Sequence, residues 1–311
     1  MKLIVKKTIF VLLLFSPLTT HANDININQA KIIDINTPLK NHISFNTFET
    51  LSSNEHGLIF NNDITSNNKL HNAAAKLILA EVTGIEESHI QGVIGIKGQR
   101  TNLVIANPNG ISWKNGTVNN INSLSLVAGK LEPQYTRNKD NKQLEPKKQE
   151  DYSNLKFSIQ PASLISISQQ HSNPIQLSKM NIFADHIKLQ NNLNINAALQ
   201  NYISASGSGT LSPSEGVIKY GSKFKTDIPH IQGNLLELDE HTKLTGRSIT
   251  LESHQYQCKD DFLCPQNKID IHGVIKTMNF SLRGNSEISL SNTGVIQLGK
   301  NLQALVASTP K

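Results

Sequence analysis

Aromatic residues, cysteines and long apolar runs are scarce in this chain of 311 residues. Aromatic residues make up 5% of it, with a single Trp, and charged residues 17%. The C-terminal end lacks the alternating, aromatic-flanked strands of about ten residues that a membrane-embedded barrel needs. Asn, Ser, Ile and Leu are abundant instead, which favours a long β-structure with polar ladders over a helical bundle.

The most apolar run, residues 9–15, is too short for a membrane span, which needs about 20 apolar residues. Three lysines precede it, and a proline and small residues follow it. This order is typical of a secretory signal peptide over residues 1–22, with cleavage between Ala22 and Asn23. We therefore expect a mature chain that folds outside the cytoplasm and has no stable membrane span.

The two cysteines, Cys258 and Cys264, are separated by five residues. In an exported protein such a pair indicates a disulfide. The alternative, half of a metal site, lacks a CxxC spacing and a second ligand pair. The net charge of +6 is spread along the chain, which predicts a solvated surface and no nucleic-acid partner.

Sequence patterns of catalysis are missing. The chain has no GxSxG, Walker, HExxH or calcium-binding repeat. Asp260 and Asp261 form the one adjacent aspartate pair, and His186, His230 and His272 lack the spacing of metal ligands. We expect no enzymatic activity, no cofactor and no metal. A polysaccharide lyase or hydrolase on a β-helix is the less favoured alternative.

Short apolar segments of strand length, cut by Asn, Gly and Ser, follow one another from Ile25 onwards. This cadence fits a parallel β-helix, and a β-sandwich is the alternative. The second half of 71–82 reads as a strand, and the KNGT sequence at 114–117 as a hairpin or tight bend. Residues 130–154 have few apolar residues and predict an exposed charged loop. Residues 207–233 predict an irregular insertion.

One pronounced turn interrupts the pattern. The strand that begins at Leu103 ends in Asn107-Pro108-Asn109-Gly110, and Trp113, the single Trp, follows. Asn at the first position, Pro at the second and Gly at the fourth favour a type I turn.

Four motifs occur in a characteristic order, and with the signal peptide they resemble the N-terminal secretion domain of two-partner-secretion exoproteins, the filamentous-haemagglutinin-like family. They are GLIFNN at 57–62, AKLILAEVTG at 75–84, SHIQGVIGIKGQRTNLVIANPNGI at 88–111 and SLSLVAG at 123–129. The resemblance covers roughly residues 25–207.

The resemblance implies a right-handed parallel β-helix with extra-helical strands and hairpins. It places the secretion domain at 23–210, with an insertion and further coils in 211–311. It also implies a partner, an outer-membrane transporter of a Gram-negative bacterium, whose POTRA domains bind the unfolded or partly extended chain in the periplasm. The destination would be the medium or the cell surface.

By resemblance, the segment Asn107, Pro108, Asn109, Gly110 and Ile111 is needed for secretion. Two interpretations remain open: the segment folds the domain, or it contacts the transporter.

A weaker second motif occupies Asn67, Asn68, Lys69 and Leu70, where the family has a proline that this chain lacks. The CxxC that follows NPNGI in many haemolysins is also absent. The resemblance implies a surface adhesin that binds host or neighbouring cells and, as in the family, a link to virulence. The alternative is a truncated or modular haemolysin or contact-dependent toxin carrier.

Overall fold

The computed structural model describes residues 29–39, 42–132, 135–137, 144–146, 155–205, 207–212, 217–219, 233, 235–253, 267–284, 287–291, 293–299 and 303–305. The predicted signal peptide with its cleavage site at Ala22 and Asn23 lies outside the described residues. So does the predicted disulfide between Cys258 and Cys264.

Nine strands form a parallel sheet, the first sheet. In spatial order they are β1 (Lys31–Asp34), β3 (Leu58–Asn62), β5 (Ser88–Gly98), β7 (Ile111–Asn119), β13 (Leu164–Ser168), β15 (His186–Gln190), β19 (Leu235–Leu238), β21 (Lys268–Ile271) and β23 (Glu287–Leu290).

Ten strands form the second sheet, which is parallel except for its last pair. In spatial order they are β2 (Ile43–Phe48), β4 (Leu77–Val82), β6 (Thr101–Ala106), β8 (Ile121–Val127), β14 (Ile175–Ala184), β16 (Asn194–Ser204), β20 (Lys243–Ser253), β22 (Val274–Gly284), β24 (Val295–Leu298) and β25 (Gln303–Leu305).

The chain alternates between the two sheets, so each coil adds one strand to each of them. Inward-facing Ile and Leu side chains fill the space between the sheets, and most of them are fully buried. Because every coil covers the apolar face of its neighbour, the stack has one continuous core. The predicted fold class, an all-β parallel β-helix with extra-helical strands and hairpins, is confirmed.

A third, antiparallel sheet covers part of the outer face of the second sheet. In spatial order it contains β18 (Val217–Lys219), β17 (Gly207–Ser212), β12 (Leu155–Ile159) and β9 (Gly129–Glu132). Its Phe157 packs edge-to-face on Phe183 of β14, with ring centroids 5.7 Å apart. The strand β4 is therefore buried on both faces.

The side chain of Glu81 lies in this covered face. Glu81 is 6% exposed, and its Oε1 accepts a hydrogen bond of 2.9 Å from the backbone N–H of Leu131. Burial raises the pKa of Glu81, and the Leu131 hydrogen bond opposes this shift. This carboxylate joins the third sheet to the β-helix.

One sequence expectation needs correction. Within 207–233, the described residues 207–212 and 217–219 are ordered strands that pair with β12 and with each other. Sequence patterning missed β17 because its Gly and Ser residues provide little apolar signal, and β18 because it is only three residues long. Of the predicted loop at 130–154, the described part contains the end of β9 and a hairpin of β10 (Tyr135–Arg137) and β11 (Leu144–Pro146).

Of the hairpin or tight bend predicted at 114–117, the hairpin is wrong, because β7 continues from Ile111 to Asn119. The turn-forming pair Asn115-Gly116 makes a β-bulge instead: Lys114 pairs with Gln91 and Thr117 with Val93. Asn115 has a φ of 54°. The tendency of asparagine to adopt the left-handed conformation, which is common in turns, is therefore satisfied here by a bulge within a strand. The second half of 71–82 forms β4, as predicted.

Candidate functional site

The segment Asn107–Ile111, called here the Asn107 turn, connects β6 to β7. The backbone N–H of Gly110 donates to the carbonyl oxygen of Asn107 at 3.1 Å, which closes the turn. The N–H of Asn109 donates to Oδ1 of Asn107 at 2.9 Å. The side chain of Asn107 thus fixes its own turn, as its residue type suggests.

The amide nitrogen of Asn107 reaches the preceding coil. Its Nδ2 donates to the carbonyl oxygen of Glu86 and to Oγ of Ser88, each at 2.9 Å. Asn107 is completely buried, so these bonds are shielded from water. Its side chain is therefore committed to holding two successive coils together.

The side chain of Asn109 is exposed and bonds to the same neighbouring loop. Its Nδ2 donates to the carbonyl oxygen of Gly84 at 2.8 Å. Pro108 is half-buried beside it. These two residues form the outer surface of the Asn107 turn.

Gly110 and Ile111 face the next coil and the core. Gly110 has a φ of +107°, and a Cβ there would lie 2.8 Å from the carbonyl oxygen of Leu164. Ile111 is fully buried and pairs with Ser88 on one side and Ile165 on the other. The glycine is needed both for its conformation and for the close approach of the next coil.

Trp113 is an internal packing residue. It is completely buried, and its Nε1 donates to the carbonyl oxygen of Gly92 at 2.9 Å. Its ring lies against Gly116, where a Cβ would be 2.6 Å from Cε2. The Trp that follows the turn therefore fills the coil interior opposite the bulge.

The second motif, Asn67–Leu70, forms a turn of the same design, called here the Asn67 turn. Asn67 is buried, and its Nδ2 donates to the carbonyl oxygens of Ile35 at 3.0 Å and Asn61 at 2.8 Å. Its Oδ1 accepts the N–H of Lys69 at 3.0 Å. Residues Asn68–Leu70 make one 3-10 turn, which ends with Leu70 in the core.

The loop that precedes the Asn67 turn contains a carboxylate cap. Oδ1 of Asp63 accepts hydrogen bonds from the backbone N–H and the hydroxyl of Thr65. These bonds and one from Ser66 lower the pKa of Asp63 below its ordinary value of 3.8. They stabilise the ionised form, although the group is exposed to solvent.

The sequence indicated the asparagines but not the groups they bind. The role of Ser88 as a partner of Asn107 was not predicted. Its signal in the sequence is a small polar residue at a buried position, where most neighbouring coil residues are apolar. The carbonyls of Gly84, Glu86 and Ile35 were missed because backbone groups have no sequence signal.

The described residues contain no group of His, Cys, Asp or Glu side chains that could hold a metal ion. In the described part of the chain, no helix has the length and hydropathy of a membrane span.

Comparison with known proteins gives consistent results. The crystal structure of a filamentous hemagglutinin secretion domain aligns over 87% of this chain and 92% of its own, with a TM-score of 0.56 and 16% identity. Filamentous hemagglutinin of Bordetella pertussis is 30% identical over 134 residues, and a hemolysin of Serratia marcescens is 32% identical over 111 residues.

These two relatives are matched over 37% and 32% of this chain, and the matches span 4% and 7% of the relatives' own lengths. The similarity thus concerns one small part of much longer proteins. Residues 17–300 of this chain match the family described as TPS secretion domain. The chain belongs to the family of two-partner-secretion (TPS) secretion domains.

Proposed function

We propose that this chain is a secreted exoprotein whose TPS domain directs its export through a dedicated outer-membrane transporter with POTRA domains. The observation that carries the proposal is the family match, which spans residues 17–300 and so nearly the whole chain. Membership in this family implies a cognate transporter. The POTRA domains are proposed as the part of the transporter that binds the chain.

The test is export with and without the transporter. The full chain is expressed in a Gram-negative host, alone or with its cognate transporter, and the medium and periplasm are assayed separately. We expect release only in the presence of the transporter. Equal release from a strain without it would refute the proposal. N-terminal sequencing of the released chain tests the predicted cleavage between Ala22 and Asn23.

Within the Asn107 turn, we propose a division of roles between buried and exposed residues. Asn107, Gly110 and Ile111 fold the coil, because their side chains or backbone are enclosed by neighbouring coils. Pro108 and Asn109 form the exposed side and face a partner. The Asn67 turn has the same folding role in the preceding coil.

Asn109→Ala distinguishes these roles. The variant loses the bonds from Nδ2 of Asn109 to the carbonyl oxygen of Gly84 at 2.8 Å and to Oδ1 of Asn107 at 3.1 Å. We therefore expect a loss of about 1–2 kcal/mol in the free energy of unfolding. If Asn109 serves the transporter, affinity and export fall by more than this loss explains. Asn109→Ala with unchanged stability, binding and export would remove Asn109 from the proposal. The melting temperature and the affinity are measured on the same preparations.

After export, we propose that the chain serves as a surface adhesin of the filamentous-haemagglutinin type. The support is its similarity to filamentous hemagglutinin. The alternative role is a carrier of a cytolysin or a contact-dependent toxin. The similarity to the Serratia marcescens hemolysin and to the 16S rRNA endonuclease CdiA of Enterobacter cloacae favours it. Erythrocyte agglutination without lysis supports the adhesin, and lysis supports the alternative.

We further propose that Cys258 and Cys264 are joined in the exported protein. Their short separation and the oxidising compartment support a disulfide. Mass spectrometry after thiol blocking should find neither cysteine alkylated. Two alkylated cysteines would refute the disulfide.

A further inference from the structure

The third sheet encloses a second, smaller core on the outer face of the second sheet. Outward side chains of β4, β6, β8 and β14 form this core, among them Leu79, Val104, Val127 and Phe183. Leu131 of β9 and Phe157 of β12 belong to the same cluster. These outward side chains are buried, and they stay shielded from water only while the third sheet is in place.

Glu81 brings a carboxyl group into this apolar area. It is the one charged residue of β4, and it is buried. In the sheet register it lies between Thr47 of β2 and Ala106 of β6, neither of which carries a charge. No neighbouring strand of the second sheet therefore supplies a cation for this carboxylate.

The partner of Glu81 is a backbone group of the third sheet. The N–H of Leu131 donates to Oε1 of Glu81 at 2.9 Å. Its strand, β9, is the last in the described order of the third sheet and pairs with β12 alone. The carboxyl group thus takes an edge N–H that no strand of the third sheet accepts, and it does so only when β9 lies on β4.

The charged groups around Glu81 are few. Lys130 of β9 favours the ionised carboxylate. The other charged residues in the strands of this contact are Glu132 of β9 and Lys156 of β12, which are paired in register. The strands β2, β6 and β8 contain no charged residue. Desolvation is the strongest influence, and it raises the pKa of Glu81 above the ordinary 4.5 against the opposing effects of Leu131 and Lys130.

We propose that Glu81 and Leu131 form a pH-dependent latch, which holds the third sheet on the second sheet more tightly in acid than at neutral pH. With the latch closed, an ionised Glu81 is a charge removed from water, which is costly. A protonated Glu81 still accepts the Leu131 N–H through its carbonyl oxygen and carries no charge. With the third sheet lifted away, water solvates the carboxylate. Closing the latch therefore favours the uptake of one proton from solvent by Glu81.

The direction of the pH effect follows from this proton uptake. Because the pKa of Glu81 is raised in the closed state, protonation stabilises the closed state relative to the open one. The gain is complete below the ordinary pKa of 4.5 and is lost as the pH rises through the raised pKa. The third sheet should thus open more readily at neutral pH than in acid.

Opening of the latch is a local event. The strand β4 is held in the second sheet by parallel pairing with β2 on one side and β6 on the other. These ladders do not involve the third sheet, so the coils stay paired when β9 and β12 move away. The result of opening is an exposed apolar area on an otherwise folded β-helix.

Amide hydrogen exchange of the purified full chain tests the latch. Protection factors, corrected for the intrinsic exchange rate, are compared at pH 5 and pH 8. In β9 and β12 they should be at least about 3-fold higher at pH 5, because local opening of these strands is linked to loss of the Glu81 proton. In β5 and β7, which lie in the first sheet, they should not change.

Glu81→Gln separates the charge from the hydrogen bond. The amide oxygen of glutamine can accept the Leu131 N–H, but the side chain cannot ionise. Protection of β9 and β12 should therefore become independent of pH and remain at the higher level at pH 8. The control is Glu49→Gln, which changes an exposed glutamate just after β2 and should keep the wild-type pH dependence.

Three outcomes would overturn the latch. The first is wild-type protection in β9 and β12 that is the same at pH 5 and pH 8. The second is a pH dependence that persists in Glu81→Gln, which would assign it to another group. The third is an equal change in β5 and β7, which would mean that the whole chain opens together. If circular dichroism shows that Glu81→Gln does not fold, the wild-type comparison between the two sheets decides.

Discussion

The Asn107 turn and the Asn67 turn solve the same structural problem with different residues. In each, a buried asparagine accepts the N–H of the residue two positions later and donates twice through Nδ2. Both donated bonds of Asn107 and one donated bond of Asn67 reach the preceding coil. A polar group buried without partners would be costly, and here both Nδ2 hydrogens and the Oδ1 of each asparagine have a partner.

The two turns differ in the residues around the asparagine. The Asn107 turn has Pro108 and a glycine at φ +107°. The Asn67 turn has neither residue. It ends with His71 and Asn72, both at positive φ, at 45° and 68°. The buried asparagine and its hydrogen bonds are thus common to both turns. The residues that reverse the chain direction differ, being proline and glycine in one turn and two residues with positive φ in the other.

The largest expected effect is a loss of stability on replacing either buried asparagine, and it tests whether Asn107 and Asn67 contribute equally to the free energy of unfolding. Asn107→Ala and Asn67→Ala should each lower the free energy of unfolding by about 3 kcal/mol, because each leaves buried backbone groups unpaired. Denaturant unfolding of the purified full chain measures both. Asn68→Ala, at an exposed neighbouring position, should change little and is the control. A difference above about 1.5 kcal/mol between the two main variants would show that the turns are not equivalent.

The second prediction concerns the glycine that only the Asn107 turn has. Gly110→Ala should cost about 2 kcal/mol, because alanine meets both an unfavourable φ and the Leu164 carbonyl. Gly299 has a φ of +69°, and a Cβ there would have nothing within 4 Å, so Gly299→Ala should cost only about 1 kcal/mol. Equal losses in thermal unfolding would show that the close approach of the next coil is unimportant.

The sequence indicated the Asn107 turn more clearly than the Asn67 turn, for a physical reason. Proline and glycine change backbone preferences locally, so NPNG is visible in the sequence. The interaction that matters most, between Nδ2 of Asn107 and a carbonyl 21 residues earlier, depends on coil stacking and has no local signal. Without Pro or Gly, NNKL therefore reads as a weak motif, although its asparagine is bonded in the same way.

The fold, too, could be predicted from the sequence only where its interactions are local. Alternating apolar strands predicted the coils, because each coil buries its own inward face. The outer face of β4 was not predicted to be buried. Its cover comes from β9 and β12, which lie about 50 or more residues away.

The third prediction concerns the left-handed end of the Asn67 turn. His71→Gly should raise the free energy of unfolding by about 0.5–1 kcal/mol, because glycine adopts a φ of 45° without steric cost. His171 is exposed and is not among the described residues with positive φ. His171→Gly should instead be slightly destabilising, since it only adds freedom to the unfolded chain. A loss of stability in His71→Gly would mean that the His71 side chain makes an important contact.

The smallest expected effect is a pH dependence that only the Asn67 turn has. Hydrogen bonds from Thr65 and Ser66 lower the pKa of Asp63 below 3.8, so its ionised form favours the folded state. This stability is fully present above pH 3.8 and is lost as the pH falls through the lowered pKa. Within the described residues, no carboxylate accepts such bonds beside the Asn107 turn.

In urea unfolding from pH 7 to pH 3, wild type should therefore be more stable than Asp63→Asn at neutral pH, and the difference should shrink in acid. A difference that is constant with pH would show that the Asp63 charge does not support the turn.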